Sequence, residues 1–311
     1  MDCFFCLIVA VYFQILSSYL FFLSMKYMKN SLLLFALMLP FGLFAQFGKF
    51  KKKEDIEQFK DTRLIVVLMQ DSAYNASIIS AMDKYWNFTG FEFAFDTAMQ
   101  KFKKGDYAFL LFSKSKGSKI RAKVCSSEED FNGLVITKKF KRRIVPEDVL
   151  AQAFCRNFID TPDWETEMIR GVQLLNNYFN YAIEASSDGD LSESKMMNNY
   201  PSDKGLLIDK TLFVEDRQLE MKGKEDKNVL IDGEIEETEI ENIQRMIKAQ
   251  DNMSLYYFYS KDEKFCNKMI ISTANSELMY FNSTSADKCK LVASDLKQVK
   301  NIKSDFIKKN N

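Results

Sequence analysis

The chain has 311 residues, 47% of them hydrophobic and 14% aromatic, enough to bury a large core, so general disorder and collagen-like structure are excluded. Its 43 basic and 43 acidic residues balance, which argues against a dedicated nucleic-acid binder. It has no histidine, which removes Ser-His-Asp and Cys-His catalysis, the HExxH zinc site and the commonest acid/base group near neutral pH.

Two apolar stretches open the chain. Cys3 to Met25 is 23 residues without a charge, long enough to span a bilayer. After Lys26 and Lys29 comes a shorter run, Ser31 to Ala45. Read from Met28, this run has the parts of a secretory signal: Lys29 as the positive start, Leu32 to Leu39 as the apolar centre, and Pro40 and Gly42 ahead of a small residue at Ala45. The expected organisation is therefore an extension or transmembrane helix at 1–27 and a signal peptide at 28–45. A first α/β unit follows at 46–160, a connecting helix and linker at 161–205, and a second α/β unit at 206–311. With the leader removed, the remaining chain carries a net charge near −1. The alternative is a membrane-anchored protein that keeps residues 1–45.

Past the basic residues Lys49 to Lys53, Leu64 to Met69 reads as a strand buried on both faces. Asp71 or Ser72 caps a helix with apolar positions Tyr74, Ile78, Ile79, Met82 and Trp86, closed by Gly90. Phe91, Phe93 and Phe95 alternate as in a strand. A short helix is expected over Thr97 to Lys104, then strands over Tyr107 to Phe112, Ile120 to Cys125 and Leu134 to Thr137. Pro146 is expected to open a helix, Glu147 to Phe158. A long helix, Asp163 to Ile183, follows, with an apolar stripe of Trp164, Met168, Val172, Leu175 and Phe179. The Ser-rich stretch Ser186 to Gly205 then reads as a linker.

The second half gives strands at Thr211 to Val214 and Val229 to Ile231 and a helix at Glu236 to Ala249. Next come a strand at Ser254 to Tyr259, a hairpin of Met269 to Ile271 with Leu278 to Phe281, and a last helix, Ala286 to Ile302. The halves share local wording: Gln100-Lys101, Asp106, Phe109 and Ser113-Lys114 match Gln244-Arg245, Asp251, Tyr256 and Ser260-Lys261. The fold expected is α/β, with two tandem related units, each a mixed sheet flanked by helices, joined by a long helix and a loop.

Four cysteines follow the leader. Their places near the fourth strand and the last helix of each half suggest the pairs Cys125–Cys155 and Cys266–Cys289 in an oxidising compartment. Lys138, Lys139, Lys141, Arg142 and Arg143 form the strongest single-sign patch, able to touch an anionic surface. Ser113 and Lys116 have SxxK spacing but lack the companion motifs of penicillin-recognising hydrolases, so a solvated turn is the better reading. No phosphate-binding glycine loop appears. The acidic run Asp232 to Glu237 reads as the negative start of a helix. No catalytic residue, cofactor or metal ligand is assigned. The expected role is a non-catalytic envelope module bound to an envelope protein or glycan, with no nucleic acid, and with the membrane only if residues 1–45 stay attached. A hydrolase using Asp, Glu or Lys is the third reading.

The apolar leader, the Lys- and Phe-rich, His-free body and the two-unit plan resemble exported proteins of unassigned activity in Bacteroidota-type bacteria. The strand and helix order also resembles the α/β units of envelope proteins in the curli-secretion and TolB amino-terminal group. The first resemblance implies a periplasmic or secreted address. It also implies that Asp71-Ser72-Ala73 and Asp96-Thr97-Ala98 carry O-glycosylation at Ser72 and Thr97.

Overall fold

A computed structural model describes residues 53–102, 106–114, 132–140, 148–156, 163–186, 210–220, 235–261 and 265–296. Helix α1 (Lys53–Asp61) leads into β1 (Arg63–Leu68), whose Leu64 to Leu68 are all buried. Helix α2 (Ser72–Tyr85) is capped by Asp71, which accepts the Tyr74 N–H at 3.0 Å. Strand β2 (Phe91–Phe95), a 3-10 helix (Asp96–Phe102), β3 (Tyr107–Lys114), β4 (Asn132–Thr137) and β5 (Val149–Phe154) complete the first sheet. The strand order is β2-β1-β3-β4-β5, with β1 parallel to β2 and β3, and β4 antiparallel to β3 and β5.

Helix α3 (Trp164–Ser186) follows, then β6 (Thr211–Glu215), β7 (Leu219–Glu220), β8 (Ile235–Thr238), α4 (Ile240–Ala249), β9 (Ser254–Lys261), β10 (Phe265–Ser272), β11 (Leu278–Ser285) and β12 (Leu291–Val292). The second sheet has the order β11-β10-β9-β6-β8, with β6 parallel to β8 and β9, and β10 antiparallel to β9 and β11. Each sheet is thus a mixed five-stranded sheet with the same order and the same strand senses. The fold is α/β with two tandem units, as the sequence pattern predicts.

The correspondence extends to single residues. Tyr107 and Ser254 hold the same place opposite the first residues of β1 and β6, which lays Phe109 on Tyr256 and Ser113-Lys114 on Ser260-Lys261. The next ladder lays Asn132 on Cys266 and Leu134 on Lys268. A bulge interrupts β4/β5 at Ile136/Thr137 and β10/β11 at Ile270/Ile271, which are equivalent positions. Trp164 opens α3 ten residues after Phe154, and a helical turn at 293–296 opens ten residues after Ser283, the partner of Phe154 in this correspondence.

The two sheets share one core. Leu64, Val66, Leu110 and Leu134 of the first sheet, Met168, Val172, Leu175 and Phe179 of α3, and Tyr256, Phe258, Met269 and Ile271 of the second form a single apolar cluster. The predicted stripe on α3 is that core. Gly171 lets α3 press onto β4: a Cβ there would lie 2.8 Å from Leu134 Cδ1. The outer face of the second sheet has its own cluster: Leu212, Val214, Leu255, Tyr257, Ile270, Tyr280, Leu291 and Leu296.

Four local expectations are corrected. Val149–Phe154 is strand β5, not a helix, because pairing with β4 and burial of Leu150, Ala151, Ala153 and Phe154 outweigh the helix preference of its alanines. Glu236 to Thr238 lie in edge strand β8 beside β6, so α4 starts only at Ile240 and the acidic run does not open it. The helix expected over Thr97 to Lys104 is a 3-10 helix ending at Phe102. Residues 286–292 form a turn and β12, paired with β7, before helix begins at 293. Ser186, the expected start of the linker, ends α3; the rest of the linker, the expected strands at Ile120 to Cys125 and Val229 to Ile231, and the leader lie outside the described residues.

Candidate functional site

The apolar stripe turns one side of α3 to the first sheet. The opposite side carries Glu167, Arg170, Gln173 and Asn177, spaced by three or four residues and so aligned along one helical face. These side chains meet the second unit in a buried seam. Arg170, 1% exposed, pairs with Glu167, 2% exposed, through Nη2 and Oε2. The same nitrogen donates to the Phe154 carbonyl at 3.1 Å, and the guanidinium carbon lies 4.0 Å from the centre of the Phe258 ring. Glu167 also accepts the backbone N–H of Arg156 at 3.1 Å. Farther along, Ser276 Oγ donates to Gln173 Oε1 at 2.7 Å, and Asn177 Nδ2 donates to the Asn275 carbonyl at 2.9 Å.

Half-buried ion pairs flank the seam. Arg156 Nη1 meets Glu215 Oε2 at 2.6 Å, and Gln218 Nε2 donates to the same oxygen at 2.5 Å. At the start of α3, Asp163 accepts the Thr166 hydroxyl at 2.8 Å and pairs with Lys248 of α4 at 2.9 Å. Here the α3 N-terminus is tied to the C-terminal turn of α4, where a cation complements the helix dipole.

Burial dominates the electrostatics. Burial alone would lower the Arg170 pKa, but Glu167 reverses that and holds the guanidinium charged. Burial pushes the Tyr256 phenol far up, with Arg170 pulling the other way. The buried Tyr256 hydroxyl and the Arg170 guanidinium are electrostatically coupled. Cys155, buried beside the pair, is pushed far up by burial first and by the Glu167 carboxylate second. A thiol held neutral in this way is a poor nucleophile. The contacts of the seam tie α3 to the second unit. Among the described residues, no group of three or more Cys, Asp or Glu side chains is placed to hold a metal.

A second buried charge cluster lies on the outer face of the second sheet. Lys268 Nζ pairs with Asp295 Oδ2 at 2.8 Å and donates to the Lys290 carbonyl at 2.6 Å. Asp295 also accepts from the Tyr280 hydroxyl at 2.9 Å, the Val292 N–H at 3.1 Å and Asn282 Nδ2 at 3.3 Å. Every oxygen of the carboxylate is thus used, as a buried charge requires.

Of the expected site residues, Cys266 and Cys289 are bonded to each other, with Cα atoms 5.4 Å apart. Cys155 is a free thiol turned into the shared core, so the expected Cys125–Cys155 bridge is not formed; Cys125 itself lies outside the described residues. Lys138 and Lys139 are exposed just after β4, whereas Lys141, Arg142 and Arg143 lie outside the described residues. Ser72 is exposed at the start of α2 and Thr97 is exposed in the 3-10 helix. Ser113 is the penultimate residue of β3, and Lys116 lies outside the described residues. Sequence reading missed the polar face of α3. Its signal was present in the spacing of Glu167, Arg170, Gln173 and Asn177, but such a face ordinarily belongs to solvent. Compared with known proteins, the chain matches no family model, no curated protein and no solved structure.

Proposed function

We propose that the protein is an exported, non-catalytic module of the cell envelope, made by duplication of one α/β unit and acting by binding an envelope protein or glycan. The observation that carries this reading is the Cys266–Cys289 bridge, because disulfides persist in oxidising compartments and are rare in the cytosol. The apolar run after Lys29 supports the same address. Among the described residues, no helix is long and apolar enough to cross a membrane. The buried, neutral Cys155 and Tyr256 support a structural use of the seam. The shared strand order, the shared bulge and the equal spacing to the following helix support duplication. Exposed Ser72 and Thr97 remain accessible to O-glycosylation, and exposed Lys138 and Lys139 to an anionic surface.

Cell fractionation tests the address. Release of the protein with the soluble periplasmic or secreted fraction is expected. A pool that resists alkaline carbonate extraction favours the membrane-anchored alternative, and a cytosolic pool defeats the proposal. Affinity capture from the envelope fraction with the mature chain then identifies the bound protein or glycan.

A further inference from the structure

The two units are alike in topology but differ in how the helix after the fifth strand is held. In the first unit that helix is α3, which packs on its own sheet through Leu134 and on the second unit through Phe258, Ser276 and Lys248. In the second unit the equivalent helix opens at 293, and its buried residue Leu296 belongs to a cluster containing only second-unit residues. The residues beneath it also differ. Where the first unit has Asn132, Leu134 and Thr166, the second has Cys266, Lys268 and Asp295. Those three residues supply a disulfide to Cys289 and a buried ion pair, both reaching the segment that leads into the helix.

We propose that the Cys266–Cys289 bridge and the Lys268–Asp295 pair form a clasp that holds residues 286–296 on the second sheet, and that reduction opens it. The clasp grips residues 286–296 at two points. The disulfide holds one end at 289 and Asp295 holds the other, with Leu291 and the β12/β7 pairing between them. A dithiol supplies two electrons and two protons, breaks the S–S bond, leaves two thiols and closes to its own cyclic disulfide. Freed residues then leave Leu212, Leu255, Tyr257 and Ile270 uncovered. The inference rests on the correspondence of the two sheets and not on where the protein resides.

Hydrogen exchange read by mass spectrometry on the full chain, oxidised and then treated with dithiothreitol, is the test. The bridge closes a loop with a sequence separation of 23, and releasing such a loop should raise local opening on the order of a hundredfold. Exchange should rise in 286–296 and 219–220 and stay unchanged in β1 and α3. A rise below tenfold in 286–296, or an equal rise in β1 and α3, overturns the clasp. Lys268→Leu with Asp295→Thr, kept oxidised, restores the first unit's residues and reads the second grip. It should raise exchange in 293–296 at least tenfold, and unchanged exchange there overturns the two-point arrangement.

Discussion

Replacing Arg170 by methionine removes a buried charge from the seam and leaves its partner behind. The Glu167 carboxylate, 2% exposed, keeps the Arg156 N–H but loses its charged donor. Breaking a buried pair from one side costs about 3–5 kcal/mol, and loss of the contact over Phe258 adds about 1. Glu167→Gln strands the opposite charge and should cost about 2–4 kcal/mol. The double variant strands neither charge, so it should lose about 3 kcal/mol less than the sum of the two single losses. Urea unfolding followed by circular dichroism and by the fluorescence of Trp86 and Trp164, both packed in the shared core, reads these losses. The two probes should move together, because the seam joins both sheets into one core. A loss under about 1 kcal/mol for Arg170→Met, or losses that simply add, would refute the reading of the seam as a coupled lock.

Other expectations follow from the packing and the burial. Gly171→Ala puts a Cβ against the buried Leu134 and should cost about 1–2 kcal/mol despite alanine's better helix propensity; adding Leu134→Val should recover part of it in the same urea assay. Phe179 stacks with Phe88 and meets Phe59 and Trp86, so Phe179→Ala should cost about 3–5 kcal/mol and lower the thermal midpoint by roughly 10 °C. Tyr74, Tyr256 and Cys155 are held protonated by burial. Their folded values lie above the unfolded ones, so their contribution is complete below about pH 8.5 and is lost as pH rises. Stability measured from pH 8 to 11 should therefore fall, and Tyr256→Phe should flatten the slope above about pH 10 by up to roughly 1.4 kcal/mol per pH unit. An unchanged slope would place that phenol in water.

Much of the fold was legible because its signals are local. The unbroken aliphatic run of β1, the capped helix after Asp71 and the apolar stripe of α3 each follow from spacing alone. The sequence match of Phe109 and Ser113-Lys114 with Tyr256 and Ser260-Lys261 falls on strands in equivalent places. The failures lie where partners decide. Val149–Phe154 is rich in alanine and follows a proline, yet it becomes an edge strand because β4 offers it a ladder. Glu236 and Glu237 look like a helix start, yet they continue a sheet edge whose side chains face water. Cys155 has the spacing of a bridge partner, but the strand points it into the core. The polar face of α3 could not be told from a solvated face, because only the second sheet, distant in sequence, buries it.

Intact-mass analysis of the protein taken directly from its native cells, alkylated without reduction, tests the envelope assignment most directly. The account predicts a chain beginning at Gln46 in which Cys266 and Cys289 resist alkylation and their peptides remain joined. A chain that keeps Met1, with both of those thiols alkylated, would contradict it.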